Sequence, residues 1–185
     1  MTPVIRACIG LGANIGRPAE AVRAAIAALG ELPGSRVLAT SRLYLTPVWG
    51  GVDQPDFVNA AVVLETRLDP EVLLRHLLEI ERRAGRHRDA ETASMRWGPR
   101  ILDIDLLLYG NRRINAVGLR VPHPYLHERA FALVPLAEIA ADAEFPGHGS
   151  VGEALRHVDA SNIAPLVANF LDVDDRPEGH GHGAR

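Results

Sequence analysis

Apolar and polar positions along this chain change rhythm repeatedly, and the changes mark out its elements. Residues 4–11 form a nearly unbroken apolar run that reads as a buried strand, ending in the turn-prone Gly12-Ala13-Asn14-Ile15-Gly16. Pro18 then opens a stretch with Ala21, Val22, Ala25, Ile26 and Leu29 at helical spacing. Residues 35–46 alternate in part and read as a second strand, followed by a Gly- and Pro-rich loop over 47–55. Residues 57–66 read as a third strand. Asp69 stands as N-cap to Pro70, and Leu73, Leu77, Ile80 and Ala84 line one face of the helix they begin, which stops near Gly85. After an aperiodic polar stretch, 86–99, comes the strongest strand pattern, 101–109, closed by Gly110-Asn111. A short segment near 117–121 leads to Pro122-His123-Pro124. A helix is expected from about 126 to 140, with Pro135 kinking or breaking it. Residues 150–158 read as a small last helix.

The order β-α-β-β-α-β is that of a ferredoxin-like α+β sandwich, here with additions at the C-terminal end. A length of 185 residues fits one domain, taken as 1–171. The polar, glycine-rich run from Asp172 onward reads as a disordered tail. No apolar run reaches the ~18 to 20 residues of a membrane span. The N-terminus lacks the charged start and cleavage site of a secretory signal, so a cytoplasmic location is expected. The single cysteine, Cys8, sits inside an apolar strand and reads as a core residue rather than a nucleophile.

Charge narrows the chemistry. A net charge of −3 argues against a general nucleic-acid binder. All 20 basic residues are arginine, so a lysine-dependent P-loop is excluded and any phosphate must be gripped by guanidinium groups. Arginines crowd the stretch from Arg82 to Arg129, where they outnumber the acids (Asp89, Glu91, Asp103, Asp105, Glu128), a local excess that points to a polyanionic ligand. Gly10-x-Gly12 superficially suggests a dinucleotide fingerprint, but Ile15 stands where the third glycine is required.

The richest feature is Arg96-Trp97-Gly98-Pro99-Arg100-Ile101-Leu102-Asp103-Ile104-Asp105-Leu106. Strand side chains alternate, so Asp103 and Asp105 share one face, ~6.6 Å apart at Cα, while Leu102, Ile104 and Leu106 point the other way. Two carboxylates in an apolar strand need cations, and hard oxygen ligands favour magnesium bridging to substrate phosphates. Spacing alone is weak: Asp172-Val173-Asp174 repeats it in the tail, where nothing is expected from it. Strand context and the upstream arginines give the first pair its weight.

RWGPRILDIDLLLYG resembles the signature of the 6-hydroxymethyl-7,8-dihydropterin pyrophosphokinase family. Further likenesses lie at 10–16, from Thr46-Pro47 through 53–60, at 80–86, at Val121-Pro122-His123-Pro124 and at Arg129-Ala130-Phe131. The resemblance implies transfer of diphosphate from Mg-ATP to the pterin hydroxymethyl group, releasing AMP, in folate biosynthesis. It further implies two Mg2+ ions on Asp103 and Asp105, and a phosphate path lined by Arg86, Arg88, Arg96 and Arg100. His123 and Arg129, with Glu81, would contact the nucleotide. Phe57 and Phe131 would sandwich the pterin and Asn59 would bond its amide edge. Thr46 and Trp49 would border the pocket, and Trp97 would close over it. The loop 86–99 is expected to be mobile until both substrates bind. ATP and the pterin are the expected partners of a monomer that binds neither nucleic acid nor membrane.

From the residues alone, several readings stay open. Phe57 and Phe131 could be plain core aromatics, His123 could cap a turn, and Asn59 could be satisfied by backbone. Two other functions compete: a non-catalytic ferredoxin-like binding module, and a metal-dependent phosphoesterase using the same Asp pair. An RNA reader would want exposed aromatics and basic residues on its sheet, whereas this central strand carries two acids.

Overall fold

The computed structural model describes residues 3–48, 54–85 and 100–167. Strand β1 (Ile5–Ala13) is followed by helix α1 (Pro18–Gly30), then by β2 (Ser35–Thr40), β3 (Tyr44–Thr46) and β4 (Phe57–Thr66). Helix α2 (Pro70–Arg83) leads to β5 (Asp103–Tyr109) and a small hairpin, β6 (Ile114–Ala116) and β7 (Leu119–Val121). A 3₁₀ turn (Leu126–Glu128), α3 (Ala130–Ala140), β8 (Glu144–Phe145), β9 (Gly149–Ser150), α4 (Val151–Leu155) and β10 (Ala164–Pro165) complete the chain. The main sheet is antiparallel. Its path runs β10-β3-β4-β1-β5, with β2 also pairing β4. With β2 and β3 as the two halves of one strand, this is the ferredoxin-like order expected from the sequence.

Alternation along the strands sorts the core into two clusters. Ala7, Ile9, Leu11, Val58, Ala60, Val62, Leu64, Ile104 and Leu106 pack with Val22, Ala25 and Leu29 of α1 and Leu73 and Leu77 of α2. Each such fully buried leucine contributes about 1.5–3 kcal/mol. On the opposite face, Cys8, Ala61, Val63, Leu107 and Leu108 pack under Leu133 and Leu136 of α3 and Val151 and Ala154 of α4. The C-terminal additions therefore cover one end of this second face. At its other end stand Gly10, Gly12, Asn59, Asp103 and Asp105, and there the sheet carries the polar residues.

Some expectations need correction. The strand expected over 35–46 breaks at Ser41: its backbone N–H donates to the Ala61 carbonyl, while its hydroxyl accepts from the Ala61 N–H, replacing a ladder bond. Ile101 is exposed and β5 begins only at Asp103. A register shift of β1 against β5 beside Cys8 and Ile9 breaks the alternation after Leu106, so that Leu107 and Leu108 both enter the α3 cluster. Pro135 lies buried inside α3, which continues to Ala140; the interruption falls at Arg129, between the 3₁₀ turn and α3. Packing of Leu133 and Leu136 on either side offsets the bond that proline cannot make. Asp69 holds the N-cap position but its side chain makes no capping bond, whereas Ser150 forms a full capping box with Glu153 at the start of α4. The tail from Asp172 and the loop 86–99 lie outside the described residues.

Candidate active site

The site is built on one row of the sheet. Across the strands, Asp103 of β5 pairs with Gly12 of β1, which pairs with Asn59 of β4, which pairs with Tyr44 of β3. One row along, Asp105 pairs with Gly10. The two glycines leave a floor without side chains between the carboxylates and the amide. A Cβ on Gly12 would come within 2.5 Å of Asn59 Oδ1, so that glycine is required by close approach. Asn59 Nδ2 donates to Thr46 Oγ1 at 2.7 Å, and both residues are buried, which locks the amide in place. Phe57, two residues before Asn59, is half-buried beside this floor.

On the acidic side, Arg100 Nη1 lies 3.2 Å from Asp103 Oδ1, and Arg129 Nη1 donates to Asp105 Oδ2 at 3.4 Å. Burial and then the neighbouring Asp103 push the Asp105 carboxyl up to about 6, against the pull of Arg129. The Arg129 guanidinium lies 5.7 Å from the Tyr125 ring and 5.6 Å from the Phe131 ring, within cation–π reach of both. Burial, followed by Arg129, drives His123 down to about 4, so the ring is neutral at pH 7 and its 3.9 Å approach to Asp105 is not an ion pair. The Tyr125 N–H faces His123 Nδ1 at 3.4 Å, and Arg129 Nη1 lies 3.5 Å from Nε2, the nitrogen nearer Asp105. Glu81 is 1% exposed, and its Oε1 accepts from the Ile104 N–H at 2.8 Å, satisfying the outward side of an edge strand from within α2.

Beside Asp105 opens a cleft of about 570 Å³. Leu74, Leu78, Ile104, Leu106 and Ala116 supply apolar lining, and Asp105, Arg120 and His123 polar groups. A second groove, of about 530 Å³ along β6, β7 and Pro122, contains neither carboxylate, so the chemistry is assigned to the first. The sequence reading missed Leu74 and Leu78. They form an i, i+4 pair one position beyond the core stripe of Leu73 and Leu77, a signal that was legible. It also assigned nothing to Asn115, Gly118 and Arg120, which reach the cleft through the β6–β7 hairpin. Trp49, Arg86, Arg88, Arg96 and Trp97 lie outside the described residues.

The residues fit magnesium. Two carboxylates share a face, burial and then the neighbouring Asp103 raise Asp105, and a divalent cation would relieve the repulsion between them. Among the described residues no third acidic, histidine or cysteine side chain joins them in a metal cluster, in keeping with an ion that takes one or two carboxylates and completes its shell with water and phosphate.

A ferredoxin-like sandwich that sets paired carboxylates and arginines beside a cleft of about 570 Å³ has the parts that a metal-dependent phosphate-transferring enzyme needs. The profile of the family described as 7,8-dihydro-6-hydroxymethylpterin-pyrophosphokinase matches residues 8–141. A 2-amino-4-hydroxy-6-hydroxymethyldihydropteridine pyrophosphokinase of Methylorubrum extorquens is 47% identical over 158 residues, 85% of this chain and 96% of that protein. The protein of the same name from Pseudomonas aeruginosa is 42% identical over 150 residues, 81% of this chain and 90% of its own. Among solved structures, an HPPK-DHPS in complex with substrates superposes with a TM-score of 0.66 at 14% identity, over 89% of this chain and 47% of that one. A Plasmodium falciparum HPPK-DHPS gives 0.62 at 16% identity, over 84% of this chain and 45% of its own. The chain spans less than half of those solved chains, and at such identity the likeness is one of fold. This chain belongs to the 7,8-dihydro-6-hydroxymethylpterin-pyrophosphokinase family.

Proposed function

We propose that this chain transfers diphosphate from Mg-ATP to the hydroxymethyl group of 6-hydroxymethyl-7,8-dihydropterin, releasing AMP, in folate biosynthesis. The observation that carries this reading is the row Asp103-Gly12-Asn59. Two inter-strand steps, about 10 Å, separate a carboxylate suited to a cation from an amide suited to a planar heterocycle, over a floor that no side chain fills. ATP lies with its base against Leu74, Leu78 and Ile104 in the cleft and its triphosphate toward Asp105. The pterin lies over Gly12, its edge bonded by Asn59 and its faces stacked by Phe57 and Phe131, with Thr46 at the border; the sequence likeness assigns Trp49 and Trp97 to the same ligand.

In the transfer, the hydroxymethyl oxygen bonds to the β-phosphorus. The bond from that phosphorus to the oxygen bridging the α-phosphate breaks, and AMP leaves with the electron pair. Asp103 and Asp105 would hold two magnesium ions, which supply charge neutralisation along the triphosphate. Arg100 steadies Asp103 and, with Arg86, Arg88 and Arg96, takes the phosphate oxygens beyond reach of the carboxylates. Neutral His123 and charged Arg129 bracket Asp105 at the nucleotide end, while Glu81 holds β5 in register beneath them. Asp103, nearest the acceptor side of the row, takes the hydroxyl proton. The protein acts as a single cytoplasmic domain and as a monomer, needing neither nucleic acid nor membrane. No helix among the described residues is long and apolar enough to cross a membrane.

Incubation with Mg-ATP, with and without the hydroxymethyl dihydropterin, tests the reading. AMP should form only with the pterin present, in equal amount to the pterin diphosphate. ATP hydrolysis indifferent to pterin would point to a phosphoesterase, and no turnover at all to a binding module.

A further inference from the structure

Asn14 closes the end of β1. It is 4% exposed, and its amide is bonded at both ends. Oδ1 accepts from the Arg100 backbone N–H at 2.7 Å. Nδ2 donates to the Pro55 carbonyl at 2.9 Å and to Gln54 Oε1 at 3.2 Å. The Asn14 backbone N–H donates to the Arg100 carbonyl at 2.9 Å, so Arg100 is gripped by both its backbone polar groups. Pro55 lies two residues ahead of Phe57, and Arg100 lies three ahead of Asp103. Strands β4 and β5 do not pair with each other, because β1 runs between them. One side chain therefore ties the segment entering the acceptor half of the site to the segment entering the donor half.

Asparagine suits this place chemically. The residue must accept on one side and donate twice on the other from a short stem. Aspartate offers only acceptors, and serine a single hydroxyl donor on a shorter reach. Asn14 itself is buried, so its own amide groups are costly to leave unpaired.

We propose that Asn14 is a positioning residue for the transfer, fixing the separation and tilt of the pterin hydroxyl relative to the β-phosphorus; the inference rests on the function proposed above. In-line attack needs the reacting atoms ~3–3.5 Å apart, and a displacement of ~1 Å can cost ~100-fold in rate. Asn14 touches neither reacting group, so its effect falls on the ternary complex.

Asn14→Asp is the informative variant. It keeps the acceptor toward Arg100 and sets a carboxylate oxygen against two acceptor oxygens at Gln54 and Pro55. Dissociation constants for the pterin alone and for a non-hydrolysable Mg-ATP analogue alone should stay within about threefold of wild type, while the single-turnover rate with both substrates saturating falls roughly 30- to 100-fold. A residue with only a structural part would lower the melting temperature and the folded fraction. It would leave the single-turnover rate per active site, counted by pterin titration, unchanged; that result overturns the proposal. A loss confined to binding either substrate alone, with the saturated rate intact, overturns it too. If Asn14→Asp fails to fold, Gln54→Met replaces it, removing one of the two acceptors and keeping the Pro55 bond. A rate slower by about fivefold then supports the proposal and an unchanged rate defeats it. Wild-type protein that makes no pterin-dependent AMP refutes the underlying function instead, whereas wild type and variant turning over equally refute Asn14 alone.

Discussion

Replacing Gly12 by alanine adds one methyl group to the floor of the site, and the structure says where the strain must go. Gly12 lies outside the left-handed region, so alanine can adopt its backbone without conformational cost. The new Cβ would meet Asn59 Oδ1 at 2.5 Å, where ordinary contact begins at 3.4 Å, and Phe57 Cδ1 at a comfortable 3.8 Å. Phe57 can therefore stay, and Asn59 must yield. Its amide is held by Thr46 at 2.7 Å in a buried pocket, so yielding means breaking that bond or pushing β4 aside. Overpacking of this kind costs about 1–3 kcal/mol. Paid through a displaced recognition amide, about 2 kcal/mol corresponds to roughly 30-fold weaker pterin binding. Titration of the pterin by its intrinsic fluorescence reads this directly, alongside calorimetric titration of a Mg-ATP analogue, which should bind as in wild type because the cleft beside Asp105 is untouched. Gly12→Ala protein that is folded and binds the pterin with wild-type affinity would refute the assignment of Asn59 and of the glycine floor.

Other expectations follow from the same contacts. The Asp105 carboxyl sits at about 6, above its unfolded value, so the stability it contributes is whole below about pH 4 and lost as pH rises through 6. In EDTA at pH 8, Asp105→Asn should therefore raise the melting temperature. With the side chain 35% exposed, solvent screening limits the gain to about 1 kcal/mol, or about 2–4 °C, vanishing at pH 4 by scanning calorimetry. A lower melting temperature at pH 8 would contradict this. Burial pushes the Cys8 thiol up to about 12, so a thiol reagent at pH 8 should label it only after denaturant is added. Labelling of the native protein would mean that β1 opens. Ser150→Ala removes the capping box of α4 and should cost about 1 kcal/mol in urea denaturation with kcat unchanged. A fall in kcat would show that α4 reaches the site.

The sequence spoke clearly where a periodicity or a specific residue type decides the outcome locally. Alternation placed Asp103 and Asp105 on one face, the proline at position 70 and the 3.6-residue stripe located α2, and the sequence likeness at 57–60 pointed to Asn59. It was silent where the deciding partner is distant. Ser41 breaks a strand because its hydroxyl meets the Ala61 amide across the sheet, and nothing in residues 35–46 announces that. The shift that buries Leu107 and Leu108 together depends on the register of β1 against β5. Asn14 read as a turn residue because its partners lie 40, 41 and 86 positions away. Pro135 reads as a kink or break in a helix because intrinsic preference is local, whereas the packing that sustains α3 comes from the sheet.

The account stands on Asp103 and Asp105 acting together as the seat of the metal-bound triphosphate. Turnover of Asp103→Asn and of Asp105→Asn should be measured at saturating Mg-ATP and pterin, with pterin affinity determined in the same preparations. Each variant should lose at least ~100-fold in kcat while its pterin dissociation constant stays within about threefold of wild type. Near-wild-type turnover by either one would contradict the account.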